Sequence, residues 1–210
     1  MYKEYLKKKL TSLNFDVKVI PNLVEIPSYQ PIPHDKIRIG YAGSSSHVGD
    51  FSQKLLYSLK KLFNRYSDKL ELVCFGYVPP ELNQFAYVIN GVTPDKYLDT
   101  LNYVNFDIGL IPLADTEFNK SKSNLKWLEY SICNTSCVAS DVPCYSEIED
   151  GVTGIKIRDD KWYDTLEHLI NDSEYRNRIA SQSYDYVMNH YTWRNAMYKQ
   201  SRVYAQNERW

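Results

Sequence analysis

Short apolar runs alternate along this chain with stretches of helical spacing, and that alternation limits the fold more than any other feature. KIRIGYAG (36–43) reads as a strand ending in glycine, and in DFSQKLLYSLKKLFNRY (50–66) the residues Phe51, Leu55, Leu59, Leu62 and Phe63 share one helical face. LELVCFG (70–76) is a second strand with a terminal glycine, and YVIN (87–90) is a shorter third. PDKYLDTLNYV then begins with proline at a helix N-terminus, where a missing N–H is tolerated. FDIGLIPL (106–113), SCVAS (136–140) and GIKI (154–157) are further strands, and a helix is expected to open near Lys120. KWYDTLEHLIND, EYRNRIASQSYDYVMNHY and WRNAMYKQSRVYAQ supply three C-terminal helical patterns. Strands apolar on both faces and separated by helices belong in a parallel sheet covered on two sides. The predicted fold is a doubly wound, Rossmann-like α/β domain of about six strands.

Upstream of this domain, MYKEYLKKKLTSL places Tyr2, Leu6, Leu10 and Leu13 at helical spacing, and VKVI (17–20) reads as a short strand. PNLVEIPSYQPIPHDK, with four prolines, reads as a linker. The expected segments are therefore 1–35 (helix, strand and linker), 36–191 (the Rossmann-like domain) and 192–210 (a C-terminal helix). A formal net charge of −1 supplies no general attraction to nucleic acid or anionic membrane. Nothing resembles a signal peptide, and no apolar run approaches the roughly 18 residues of a membrane span. Cys74, Cys133, Cys137 and Cys144 lack zinc-ligand spacing and read as buried thiols, with a cytoplasmic location as the default. The 19 tyrosines are scattered, which fits compositional bias better than a sugar-stacking surface.

In doubly wound sheets the ligand site lies at the carboxyl ends of the strands. That rule selects the loops 43–49, 76–80, 90–91, 114–123 and 141–151. The first, GSSSHVG, could hold a phosphate on its backbone amides, although it is neither a Walker loop nor GxGxxG. The plainer reading is a tight turn with Asp50 as a helix cap. In KSKSNLKWLE (120–129), at 100° per residue, Leu125, Leu128 and Ile132 define a buried stripe. Glu129 falls about 40° from Leu125 on that projection, and Lys122 points nearly the same way. One reading is an exposed Lys126–Glu129 pair on the surface. The other is a carboxylate answered by ligand hydroxyls, with an anion held a turn away by Lys122, as in the ribose and phosphate of a nucleotide.

LKWLEYS (125–131), SCVASD (136–141) and YSEIEDGVTG (145–154), together with IGYAGS (39–44), FDIGLIP (106–112) and YTW (191–193), occur in the order found in one family. They resemble the donor-binding, C-terminal domain of retaining glycosyltransferases of the GT-B fold, in the branch that builds bacterial polysaccharides. The resemblance implies that Glu129 accepts hydrogen bonds from the ribose hydroxyls of a nucleotide diphosphate sugar. The family's partner glutamate would fall at position 121, which is serine, and the basic pair that many members carry in the first loop is missing. Lys122 and the amides of Ser121 to Ser123 are the candidates to meet the diphosphate, with His47 beside them; Lys122 and His47 are the catalytic candidates. Gly43 and Ser44 form the loop beneath the phosphates, and Tyr77 and Gly91 flank the base. The resemblance further implies a glycan or glycolipid acceptor presented by a separate acceptor domain, of which PNLV (21–24) resembles the crossover, so that the chain is an excised half or a separate subunit. No obligatory metal or other cofactor is implied, nor any nucleic-acid partner. Peripheral membrane association of a full enzyme, and self-association through Trp193 and Tyr198, are compatible with it. A sugar-nucleotide epimerase or phosphorylase of the same architecture, or a non-catalytic nucleotide-sugar-binding module, are the alternatives.

Overall fold

The computed structural model describes residues 2–11, 13 and 20–195. Its strands are β1 (Ile37–Gly43), β2 (Leu70–Gly76), β3 (Ala86–Ile89), β4 (Ile108–Ile111), β5 (Ser136–Ser140) and β6 (Ile155–Ile157). Its helices are α1 (Tyr2–Thr11), α2 (Gln53–Arg65), α3 (Pro94–Val104), α4 (Glu117–Lys120), α5 (Leu125–Ile132), α6 (Trp162–Asn171) and α7 (Ser173–Tyr191). The strands form one parallel sheet in the order β3-β2-β1-β4-β5-β6. The order reverses direction between β1 and β4, the arrangement that leaves a crevice at the carboxyl edge.

Strand residues alternate between two cores, as the pleat requires. Ile39, Tyr41, Leu72, Cys74, Ile108, Leu110 and Val138 pack under α2 and α6 with Leu55, Leu59, Leu62, Trp162 and Leu166. Ala42, Val73, Phe75, Ile111, Cys137 and Ala139 face Leu101, Trp127, Leu128 and Val187 of α3, α5 and α7. Two strand glycines make room for rings on that second side. A Cβ on Gly40 would lie 2.1 Å from the Phe106 ring, and one on Gly109 would lie 2.3 Å from the Tyr130 ring. Phe106 and Tyr130 meet edge to face at 5.9 Å in the space so left. All four cysteines are buried and free, as expected.

Within the described residues the expected strands and helices of the domain are found with small changes at their ends, and some departures matter. Parallel neighbours usually need a crossover of a dozen residues or more, yet residues 77–85 join β2 to β3 with only a 3₁₀ turn, Pro80–Leu82, whose Leu82 is buried. The proline-rich segment is laid along α3: Ile32 N donates to Tyr103 O at 3.0 Å, and Asn105 Nδ2 donates to Ile32 O at 3.0 Å. Val24 N donates to Tyr191 O at 2.8 Å, bringing the segment expected to be a crossover against the end of α7. The helix expected near Lys120 is two helices, because Thr116 caps a four-residue α4 and Ser121 ends it, so that α5 starts only after Asn124. Leu10 in α1 and Leu13 just beyond it are exposed, while the side chains of Tyr2 and Leu6 lie outside the described residues. The strand expected at 17–20 and the third C-terminal helical pattern lie largely outside the described residues.

Candidate functional site

Strands β1 and β4 pair only through Ile39–Ile108 and Gly40–Gly109 and then part. Two side chains of α5 fill the opening. Tyr130 Oη accepts from Ala42 N at 2.7 Å, and Lys126 Nζ donates to Ala42 O. Both polar groups of a backbone unit freed from the ladder are thereby satisfied, which a buried strand end requires. The chain then passes through Gly43, where a Cβ would lie 2.5 Å from Tyr41 Oη and 3.3 Å from Lys126 Nζ. The Tyr41 hydroxyl is buried with no hydrogen-bond partner among the described residues. Gly43 O accepts from Tyr77 N at 2.7 Å, which ties the ends of β1 and β2 together.

Lys126 stands over the rings of Tyr41 and Tyr130, at 5.1 and 5.9 Å. Desolvation pulls its ammonium down to about 8, and the nearby carboxylates of Glu129 and Asp50 oppose that pull. Glu129, one turn later and half-buried, is pushed up to about 7 by desolvation, against the opposing influence of Lys126 and of Tyr97. Tyr97 Oη donates to Glu129 Oε2 at 3.3 Å, and its ring stacks on Phe75 at 5.3 Å. A second cation, Lys122, lies 3.6 Å from Asp50, whose side chain is 7% exposed. Asp50 Oδ1 also accepts from Ala114 N at 3.1 Å and from Asn119 Nδ2 at 3.0 Å. At the same edge a cavity of about 290 Å³ opens, lined by Asp50, Asp115, Ser140, Asp141, Arg158 and Asp159 among others. Two lysines and two carboxylates thus meet where the sheet reverses, a setting suited to an anion with neighbouring hydroxyls.

The expected site residues are unevenly placed. Gly43, Lys122 and Glu129 converge on the crevice, and Ser44 follows Gly43 on the exposed loop. Ser121 does not offer a free amide, because its N–H donates to Phe118 O at 3.0 Å in closing α4; the Lys122 N–H is likewise taken by Asn119 O at 3.1 Å. Ser123 is exposed in the turn before α5. Tyr77 packs its ring against the α2 side of the sheet, and Gly91 stands in open space. The backbone of His47 belongs to a 3₁₀ turn, Ser45–Asp50, and its side chain lies outside the described residues.

Two readings need correcting. Leu125 is 37% exposed, and the buried residues of α5 are Trp127, Leu128, Tyr130, Ser131 and Ile132. This helix is wedged between the sheet and α7, so it is buried round most of its circumference and a single-stripe projection misplaces its residues. For the same reason Lys126 and Glu129 are not an exposed surface pair. Asp50 is no helix cap either: Ser52 Oγ takes that place, accepting from Leu55 N at 3.1 Å. Lys126, Tyr97, Tyr41 and the bracing part of Asp50 escaped the sequence reading, since each acts across elements distant in sequence and none carries a periodic signal.

No protein-family model and no curated protein matches the sequence. Among solved structures, the chain is similar to the C-terminal domain of a glycosyl transferase group 1 family protein, LpcC, from Francisella tularensis. The TM-score is 0.63 at 18% identity, over 81% of this chain and 99% of that one. Sucrose-phosphate synthase from Thermosynechococcus elongatus matches with a TM-score of 0.72 at 13% identity, over 98% of this chain and 56% of that one. Anabaena Alr3699/HepE in complex with UDP and glucose matches with a TM-score of 0.63 at 11% identity, over 82% of this chain and 49% of that one. The fold is that of the C-terminal, Rossmann-like domain of a GT-B glycosyltransferase. The chain covers essentially all of the isolated LpcC domain and about half of the two longer proteins. Among the described residues no helix is long and apolar enough to cross a membrane.

Proposed function

We propose that this chain is the donor-binding half of a retaining glycosyltransferase, holding a nucleoside diphosphate sugar at the parting of β1 and β4. The observation that carries this reading is the placing of Glu129 and Lys126 one turn apart in the crevice, with Lys122 beside them. Glu129 accepts from the ribose hydroxyls, and Lys126 takes over the diphosphate charge that the first loop, without a basic pair, leaves unmet. Its ammonium has three donors and uses one on Ala42 O, so two remain for phosphate oxygens. Lys122 adds charge beside the leaving group, and Gly43 and Ser44 lie beneath it. Transfer breaks the bond from the anomeric carbon to the phosphate oxygen and forms one to an acceptor oxygen with the configuration kept. The main contribution of this half is to stabilise the negative charge left on the diphosphate. UDP in the HepE complex, and in a TarM complex of similar fold, makes UDP the first probe.

Calorimetric titration with UDP tests the reading. Glu129→Ala should weaken binding by roughly 1.5–3 kcal/mol, the scale of hydrogen bonds to a charged group. Unchanged affinity would return Glu129 to a structural part. A second reading, a nucleotide-sugar-binding module without transfer, is favoured by Ser121 standing where the resemblance implies a glutamate. Sugar transfer by this chain when joined to an acceptor domain separates the two.

A further inference from the structure

Tyr97 comes from α3, not from any of the loops expected to hold the ligand, yet its hydroxyl reaches the carboxylate in the crevice. Two features fix where that hydroxyl points. The ring is stacked on Phe75 of β2, with the planes inclined by 21°, and the hydroxyl ends 3.3 Å from Glu129 Oε2. Among the described residues this is the hydrogen bond Glu129 receives. We propose that Tyr97 is a positioning residue for the nucleotide site: its hydroxyl fixes the plane of the Glu129 carboxylate, so that the remaining lone pairs meet the two ribose hydroxyls. This assignment rests on the nucleotide reading given above and adds to it a residue that touches no substrate.

The physical case is one of competition. Burial favours the protonated carboxyl, which has an O–H to give away and accepts poorly where a diol needs an acceptor. The groups facing Glu129 are Lys126 and Cys133 on its own helix and Tyr97 from α3. The Cys133 thiol is itself held neutral by burial, so it donates no opposing charge. Lys126 is shared with the Ala42 carbonyl and, on the reading above, with the diphosphate. Tyr97 is then the neutral donor dedicated to the carboxylate, and since it engages Oε2, the other oxygen faces an incoming hydroxyl.

The experiment is calorimetric titration of the 210-residue protein with UDP from pH 5.5 to 9, for the unsubstituted chain, Tyr97→Phe and Glu129→Gln. Tyr97→Phe keeps the stack on Phe75 and removes the hydroxyl alone. It should bind UDP severalfold more weakly below pH 7, because a carboxyl that loses this hydrogen bond is ionised to a smaller extent there. The deficit should close above pH 8, where both proteins hold Glu129 ionised. With 2′,3′-dideoxyuridine diphosphate, which offers no ribose diol, Tyr97→Phe and the unsubstituted chain should bind alike. A loss of equal size at every pH, or one that persists with the dideoxy probe, would make Tyr97 a packing residue and overturn the proposal. A parent-like profile for Tyr97→Phe, with Glu129→Gln impaired, would overturn it while leaving the nucleotide reading intact. Parent-like binding by Glu129→Gln, or no binding of UDP by the unsubstituted chain, would overturn both.

Discussion

At the scale of single residues, the site is a set of ionisable groups taken partly out of water and compensated by one another. Binding a nucleotide diphosphate at Lys126 and Glu129 calls for the ammonium and the carboxylate, the charged form of each. Glu129 is raised to about 7, so affinity should fall as the pH drops through that value; Lys126 is lowered to about 8, so affinity should also fall as the pH rises past it. The expected profile of UDP affinity is a narrow bell, read by titration in buffers of constant ionic strength. Lys126→Met should remove the alkaline limb and weaken UDP binding by roughly 1.5–3 kcal/mol while leaving uridine binding little changed. Equal losses for UDP and uridine would mean that the lysine only supports the Ala42 backbone. The strand glycines are a matter of space. Gly109→Ala would press a methyl into the Tyr130 ring that holds Ala42. It should destabilise by roughly 1–3 kcal/mol or more, seen as a lower urea midpoint at unchanged slope.

Among elements, what matters is how loops distant in sequence are held together at the carboxyl edge. Asp50 ends the turn after β1, yet its carboxylate is bound to the loop after β4 and lies beside Lys122 at the end of α4. Asp50→Ala would remove the acceptor shared by Ala114 N and Asn119 Nδ2, a loss on the scale of roughly 1–3 kcal/mol. Thermal unfolding should show a fall in Tm, and UDP binding should weaken as the loop after β4 that precedes Lys122 loses this tie to the turn after β1. Asp50→Asn, which can still accept from Ala114 N, should lose less stability. Stability unaltered in both variants would show that the two loops are held by other contacts. Helix α5 makes the same point. It bridges the crevice to α7: Ser131 and Ser183 share a hydrogen bond, and the Asn124 side chain, fully buried, donates to Glu147 at 2.5 Å. A helix pinned at both ends presents Lys126 and Glu129 in a fixed relation, which the proposed nucleotide site would use to orient its ligand.

For the whole molecule, the proposed donor site lies at the carboxyl edge of the sheet. The likeness in fold covers about half of the longer proteins matched. A donor site without a positioned acceptor hydroxyl forgoes the proximity contribution to rate, which amounts to several kcal/mol of barrier. The 210 residues by themselves should therefore bind UDP and transfer no sugar, with UDP-sugar hydrolysis at most slow. The check is product analysis of UDP-sugar incubated with the chain alone, and again with an acceptor domain fused or added in trans. Efficient transfer by the chain alone would show that it holds a complete active site. Trp193 is 53% exposed just beyond α7, and Tyr198 lies outside the described residues.

The sequence by itself determined the class of fold, because a doubly wound sheet is written in local signals. Apolar runs such as LELVCFG and SCVAS become strands almost to the residue, and proline and glycine punctuate where the chain must turn. It also selected the loops at the carboxyl edge and named Glu129 and Lys122 as candidates, although the helical projection behind that choice does not hold, because α5 begins only at Leu125 and Lys122 lies before it. Only the tertiary structure decided which groups meet Glu129 and which way α5 faces. Tyr97 lies 32 positions from Glu129, Lys126 lies 84 from Ala42, and Asp50 lies 69 from Asn119. No periodicity spans such separations. Those contacts arise where two strands part and a helix pressed between sheet and α7 fills the gap, and there burial and charge are set by neighbours that the fold brings together.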